Sequence, residues 1–391
     1  MMSDKKFILS EINVEEILKK AFSMKPNEIA LEIRNSGVRG RGGAGFSTGT
    51  KWMLCGAATD DKKYVICNAD EGEPGTFKDR ELLVNYFEKL IAGMVIAGYS
   101  IKSDEGIIYL RGEYKWMLPQ INAKLDEMTR KGWLGDNILN TGFNFHVGIV
   151  LGAGAYVCGE ETALIESIEG RRGEPRNKPP YPVNQGLHNK PTLVNNVETF
   201  CVVPHILEKG AQWFKSLGTE QSSGMKLFSI SGDVEKPGVY EFEMGTPLSV
   251  MLKAAGAKNP KAVQVGGASG RTVNEKEFDQ PVAFEALPPG GSIIVIGKER
   301  SMLDVLENFM EFFEEESCGQ CTYCREGNYQ LLKGVKKLRQ NQLTKKELKN
   351  LKDLADLMKV GSKCGLGQTS PNPFLDIIEK FEDEVLQGIQ G

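Results

Sequence analysis

Apolar positions run along this chain in alternating rhythms. Val14 to Ser36 reads as two short helices broken near Pro26, with Ile29, Leu31 and Ile33 supplying apolar positions in the second. Tyr64-Val65-Ile66-Cys67 is an unbroken apolar run of strand length, and Ile107-Ile108-Tyr109-Leu110 is another. Between them, Leu82 to Tyr99 reads as one helix with Leu83, Phe87, Leu90, Ile91, Met94 and Val95 on a broad apolar face. A helix carrying Trp116, Leu118, Ile121 and Leu125 follows the second run, and one more follows Asn195 and Asn196. Strand alternating with helix predicts a layered α/β domain.

The rhythm changes near Gly224. Lys226 to Gly232, Val239 to Phe242, Val263 to Gly267 and Ser292 to Gly297 read as strands, with one short helix from Pro247 to Ala255. This is a small β-rich module with a crossing helix. From Ser301 the pattern turns helical, with a stripe of Leu303, Leu306, Phe309, Met310 and Phe313. Leu331, Leu332 and Val335 mark a second helix. Thr344-Lys345-Lys346-Glu347 is a capping box that opens a third, with Leu348, Leu351, Leu354 and Leu357 or Met358 on its apolar face. A chain of 391 residues exceeds one ordinary core. The expected divisions are 1–224, 225–298 and 299–391.

Composition narrows the function classes. The chain is 40% apolar and 26% charged, as in soluble globular proteins. A formal net charge of −4 argues against binding nucleic acid by phosphate neutralisation. The run Met1 to Lys6 leads into a polar segment without a signal-peptide core. The longest apolar stretch, Phe143 to Cys158, is broken by Asn144, His146 and glycines, so no membrane span is expected.

Cysteine placement carries the first chemistry. Cys318, Cys321 and Cys324 sit at two-residue gaps, and Cys364 follows 40 positions after the third. Three thiolates on one turn plus a distant fourth suit a [4Fe–4S] cluster. Structural zinc, usually held by two pairs of ligands on separate knuckles, is the rival. The helices after the triplet can return Cys364 to it. Cys55, Cys67, Cys158 and Cys201 are scattered and read as small buried hydrophobes. Reduced thiols point to the cytoplasm.

Two glycine-rich passages carry the second. Gly40-Arg41-Gly42-Gly43-Ala44-Gly45-Phe46 contains G-x-G-x-x-G, but a helix-like segment precedes it, so the dinucleotide fingerprint does not apply. Its glycines still let successive amides face an anion, with Arg41 and Lys51 adding positive charge. Asn68-Ala69-Asp70-Glu71-Gly72-Glu73 follows the first strand, at the carboxyl end where open α/β sheets bind ligands. In the second passage, Gly152 to Leu164, the small residues leave room beside a flat ligand. Glu160 and Glu161 there open a helix whose dipole favours carboxylates. Arg171 to Pro182 is a proline-stiffened basic loop with Tyr181 as its one aromatic.

Gly40–Phe46, Asn68–Glu71, Gly154–Thr162 and Ser317–Gly327 together resemble the flavoprotein subunit of respiratory complex I and its soluble relatives, from about residue 30 to residue 375. The resemblance implies FMN, NADH/NAD and one [4Fe–4S] cluster on Cys318, Cys321, Cys324 and Cys364. It places Gly40, Gly42 and Lys51 toward the FMN phosphate, with Arg41 beside them among the cofactor-binding residues. Asn68, Asp70, Glu71, Gly159, Glu160, Asn195 and Asn196 would surround the rest of the flavin. Phe46, Glu73, Tyr156, Glu161, Lys178 and Tyr181 would line the nucleotide site, with Glu160 and Glu161 positioning the nucleotide. Leu54 and Tyr181 stand where relatives often stack adenine on phenylalanine, and Glu161 favours NADH over NADPH by repelling an added phosphate. The middle module resembles a β-grasp (SLBB-type) domain.

The tail from Cys364 to Pro373 is more similar to flavin subunits of iron hydrogenases and NAD-linked formate dehydrogenases than to complex I. Implied partners are a small thioredoxin-like 2Fe–2S subunit, a catalytic iron–sulfur subunit and, with electron bifurcation, ferredoxin. Cofactors, not side chains, would carry the redox chemistry. The alternatives are a membrane complex I subunit and a zinc-stabilised scaffold without redox function.

Overall fold

The computed structural model describes residues 6–390, so the N-terminal run read above lies largely outside the described residues. The first helices are α1 (Val14–Ser23), α2 (Pro26–Asn35) and α3 (Thr48–Ala57). The α1–α2 boundary falls at Pro26, which starts α2 because a ring-locked φ and a missing N–H suit the first helical turn. Leu31 points outward, 44% exposed, so α2 buries Ile29, Ala30 and Ile33 instead.

Strand β1 (Tyr64–Ala69) leads to α4 (Lys78–Asn85) and α5 (Phe87–Ile101). The single helix expected from Leu82 to Tyr99 is broken at Tyr86, whose φ of −132° is not helical, and the two pieces bend by 94°. The Tyr86 hydroxyl donates to the Leu9 carbonyl, and Lys89 donates to that of Ile8, so this corner grips the N-terminal segment. Helix α5 is buried nearly all round rather than on one face. No single helix among the described residues is long and apolar enough to cross a membrane; the bent pair passes by length and composition only.

Strand β2 (Glu105–Leu110), α6 (Leu118–Arg130) and β3 (His146–Leu151) come next. Trp116 precedes α6 in a 3-10 turn and is 61% exposed, so it is no core residue. Then come α7 (Glu161–Ile168), α8 (Pro182–Gln185), β4 (Thr192–Asn196), α9 (Val197–Lys209) and the short α10 (Ala211–Lys215). The four strands form one parallel sheet in the order β3-β2-β1-β4. Strand order reverses between β1 and β4, which opens a crevice beyond their carboxyl ends.

The two faces of this sheet enter different cores. Val65, Cys67, Ala69, Ile108 and Leu110 pack into α1–α6 and α9. Ile66, Ile107, Tyr109 and Val194 pack into a cluster that continues into the C-terminal helices. Strands buried on both faces read as unbroken apolar runs, which is why β1 and β2 were visible in the sequence.

The next module has strands β5 (Met225–Gly232) and β6 (Gly238–Glu243), helix α11 (Leu248–Ala254), and strands β7 (Pro260–Val265), β8 (Arg271–Asn274) and β9 (Ser292–Gly297). They form a mixed sheet, β6-β5-β9-β7-β8, with α11 on its own small core. The chain ends in α12 (Met302–Glu316), α13 (Thr322–Arg339), α14 (Lys345–Gly361), α15 (Gly365–Thr369), α16 (Pro371–Lys380) and α17 (Glu382–Gln387). Thr344 caps α14 with Glu347 returning the bond. Ala355 and Met358 are the buried residues of α14, whereas Leu357 is 53% exposed. The fold is thus an α/β domain, a small SLBB-like β domain and a C-terminal helical region carrying the clustered cysteines.

Candidate functional site

The carboxyl ends of β1, β2, β3 and β4 all reach one edge of the parallel sheet. Into that edge comes the loop after α2. Arg39 pairs with Ser47 across it, and the Gly40 amide donates to the Phe46 carbonyl. Gly45 adopts a φ of +65°, a conformation that disfavours any side chain. A Cβ on Gly42 would stand 3.1 Å from that of Asn196, so the loop lies against the end of β4, at the switch point. Among the described residues the amides of Gly42, Gly43 and Ala44 donate to no protein acceptor. Three adjacent unspent donors fit an anion such as phosphate.

The sequence-selected residues gather around this edge in linked pairs. Asn68 donates to the Gly159 carbonyl at 2.8 Å. Lys51 reaches Glu161 at 2.8 Å and the Val194 carbonyl at 3.1 Å. Lys178 reaches Glu160 at 2.8 Å. Burial acts to raise the Glu160 pKa, but Lys178, Thr162 and the Ala163 amide outweigh it, holding the carboxyl below the usual range. Glu160 also caps α7 through the Thr162 and Ala163 amides. Trp52 donates to Asn195 at 2.9 Å, and Asn196 is bonded to Asp79 and the Glu198 amide. Asp70 stands apart: burial pushes its carboxyl up to about 7, and its Oδ2 is buried without a protein partner. An orphaned acceptor at a strand end fits a ligand donor.

Two residues expected to face the flavin turn inward. The Arg41 guanidinium is 1% exposed and donates to the carbonyls of Ser223 and Met225, because the chain entering the β-grasp-like module runs directly beneath it. Its amide donates to Thr199. Glu71 is spent on capping α4, accepting from the amides of Asp79 and Arg80 and from the Tyr114 hydroxyl. Burial, then neighbouring Asp79, pushes Glu71 up to about 7. Phe46 and Tyr181 remain exposed, at 52% and 53%, as does Leu54 at 49%.

Several residues at the edge were not singled out from sequence. Arg111, just past β2, donates to the Glu71 carbonyl at 2.8 Å. Its position past a strand end was the available signal. Lys78, Asp79, Glu198 and Lys226 form a buried ionic knot under the glycine loop, with Lys78 2.9 Å and Lys226 3.2 Å from Glu198. Nothing local in the sequence marks such a set.

Tyr156 joins this edge to the cysteines. Its hydroxyl donates to Glu73 at 2.6 Å, and Ser269 donates to the same carboxylate at 2.8 Å. Its amide donates to Glu316, at the end of α12, and its ring packs edge-on against Phe312 at 5.1 Å. The next residue, Val157, lines a small pocket with Cys318, Cys321, Cys324 and Cys364. Cys321 precedes α13, Cys324 lies in its first turn, and Cys364 precedes α15. Four thiols around a shared space fit the four thiolates that a [4Fe–4S] cluster takes. Burial pushes the Cys324 thiol up to about 12 despite its hydrogen bond with Ser317. Cluster assembly therefore releases its proton.

Comparison with known proteins places the chain. Residues 33–205 match the family model of the Nuo51 FMN-binding domain. Residues 227–272 match the SLBB domain, and 304–388 the NADH-ubiquinone oxidoreductase-F iron-sulfur binding region. A NADH-quinone oxidoreductase subunit of Aquifex aeolicus is 42% identical, aligned over 94% of this chain and 88% of its own length. The chain belongs to the NADH-quinone oxidoreductase flavoprotein family. Other relatives include the NADP-reducing hydrogenase subunit HndC of Solidesulfovibrio fructosivorans, 40% identical over 94% of this chain and 77% of HndC. The NAD-reducing hydrogenase HoxS subunit alpha of Cupriavidus necator is 46% identical over 96% of this chain, which spans 63% of that relative's length. A crystal structure of a NAD+-reducing [NiFe]-hydrogenase in the H2-reduced state superposes with a TM-score of 0.92 at 43% identity, covering 97% of this chain and 66% of the other. The cofactors of this flavoprotein family are FMN and a [4Fe–4S] cluster, in keeping with the unspent amides and the four thiols.

Proposed function

We propose that the chain is the NAD(H)-dependent diaphorase subunit of a soluble, cytoplasmic multi-subunit oxidoreductase of hydrogenase or formate dehydrogenase type. FMN, when bound, would supply hydride exchange with nicotinamide and single-electron exchange with the [4Fe–4S] cluster. Gly40, Gly42 and Lys51 hold its phosphate end, and Asn68, Asp70, Gly159, Asn195 and Asn196 border the rest. Phe46, Glu73, Tyr156, Glu160, Glu161, Lys178 and Tyr181 form the nucleotide side. Cys318, Cys321, Cys324 and Cys364 hold the cluster.

One observation carries this reading: Tyr156 and Val157 touch both sites, one through Glu73 and the other through the cysteine-lined cavity. The protein's part is to orient both cofactors and keep the space between them closed by packed side chains. Lys51 and Lys178 offset the acids around the nucleotide side, so Glu160 and Glu161 position rather than donate protons. A thioredoxin-like 2Fe–2S subunit, a catalytic iron–sulfur subunit and ferredoxin are the proposed partners.

The experiment is anaerobic purification with metal and flavin analysis, then dye reduction by NADH. Iron with acid-labile sulfide, retained FMN and NADH-dependent dye reduction support the reading; zinc with no flavin refutes it. A complex I role is the second reading, favoured by the 88% coverage of the Aquifex relative. Co-purification of membrane subunits rather than hydrogenase or formate dehydrogenase subunits would select it.

A further inference from the structure

The glycine loop is held from behind by the β-grasp-like module, at two points. The first is Phe284, in the loop between β8 and β9. A Cβ on Gly45 would fall 2.3 Å from its ring, so ring and loop backbone are in direct contact. Arg39 closes the other side: its guanidinium lies over the Phe284 ring at 4.1 Å, and its Nε donates to the Gly45 carbonyl at 2.6 Å. The Phe284 amide donates to Ser222, whose hydroxyl donates to Glu285, which ties this loop to the connection before β5.

The second point is Lys226 in β5. Its ammonium donates to the Arg41 carbonyl at 3.0 Å. In a trans peptide C=O and N–H point in opposite directions. Fixing the Arg41 carbonyl toward the module therefore turns the Gly42 amide away from it, to the open side. Gly42 is the first of the three amides without a protein acceptor.

We infer that the β-grasp-like module is a positioning element for the phosphate of the flavin, acting through Phe284 and Lys226 on the glycine loop. This rests on the proposal that the loop holds the FMN phosphate. Neither residue touches the flavin in this scheme. They fix the loop in the conformation whose amides face outward, so binding does not have to order it. Phe284 is the better probe, because it is only partly buried and Lys226 belongs to a buried ionic knot.

The test uses the full chain, stripped of flavin, with its iron content checked. FMN and riboflavin, which lacks the phosphate, are titrated by flavin fluorescence quenching into wild type, Phe284→Ala and Phe284→Leu. The expected result is an FMN affinity lowered about tenfold in Phe284→Ala, riboflavin affinity held within about twofold, and most of the loss recovered in Phe284→Leu. An unchanged FMN-to-riboflavin preference in Phe284→Ala overturns the inference, as does an equal loss of both flavins or of iron, which marks a general folding role. If wild type itself shows no preference for FMN over riboflavin, the phosphate reading of the loop fails and the inference falls with it.

Discussion

The two cofactor regions are built in opposite ways. The cysteine centre draws its four thiols from residues 318–364: two on the turn between α12 and α13, one in the first turn of α13 and one between α14 and α15. The proposed flavin edge draws on the glycine loop, four strand ends, α7 and the basic loop, with the glycine loop packed against a separate module. A cluster imposes its own geometry on flexible thiols, so a short local motif suffices. A flavin accepts hydrogen bonds and contacts along its whole length, so its site must be prearranged by the fold. The first kind of site fails by losing a ligand, the second by losing its scaffold.

If that contrast is right, damage to one region should spare the other. Cys321→Ser should abolish the cluster, removing iron and acid-labile sulfide while FMN stays bound; loss of FMN as well would break the contrast. Next in size is Gly45→Val. A β-branched residue at a φ of +65°, driven into Phe284, should cost the loop about 2–5 kcal/mol from left-handed strain and overpacking together. Flavin fluorescence should show FMN lost from this variant with iron content unchanged.

Asp70→Asn is a smaller effect with a defined pH signature. Burial raises Asp70 to about 7 from an ordinary 3.8, so the folded, flavin-free chain holds a proton that the unfolded chain has released. Stability from this group is therefore present below about pH 4 and lost as pH rises toward about 7. Asn should remove that loss, raising stability at pH 8 by about 1–3 kcal/mol relative to wild type and by little at pH 4. Urea midpoints at both pH values check it. The smallest effect is Thr344→Ala, which removes the α14 cap and should cost about 1 kcal/mol, leaving both cofactors in place.

What the sequence revealed follows the same contrast. The cysteine triplet, β1, β2 and the Thr344 cap each depend on neighbours in the chain, and all were legible. Strand β4 was not: Thr192-Leu193-Val194-Asn195-Asn196 is short and ends in two residues that favour turns. Strand β3 was missed because, at the sheet edge, none of its side chains is fully buried and it carries a glycine. At the Tyr86 break the hydroxyl meets the Leu9 carbonyl, 77 positions away, a contact no local pattern announces. Arg41 and Glu71 look available in the sequence, but tertiary partners claim both side chains. The residues on the open side of the proposed flavin edge were singled out because strand ends and glycines mark it; those behind it, Lys226 and Phe284, come from another module.

The central claim is that one chain seats a flavin and an iron–sulfur cluster on either side of Tyr156 and Val157, close enough to exchange electrons. The most direct measurement adds NADH anaerobically to chain loaded with both cofactors and follows flavin absorbance and low-temperature electron paramagnetic resonance together. The account predicts flavin bleaching accompanied by the signal of a reduced cluster, and no cluster signal when FMN is stripped beforehand. A cluster reduced equally well without FMN, or a bleached flavin beside a cluster that NADH leaves oxidised although dithionite reduces it, would contradict it.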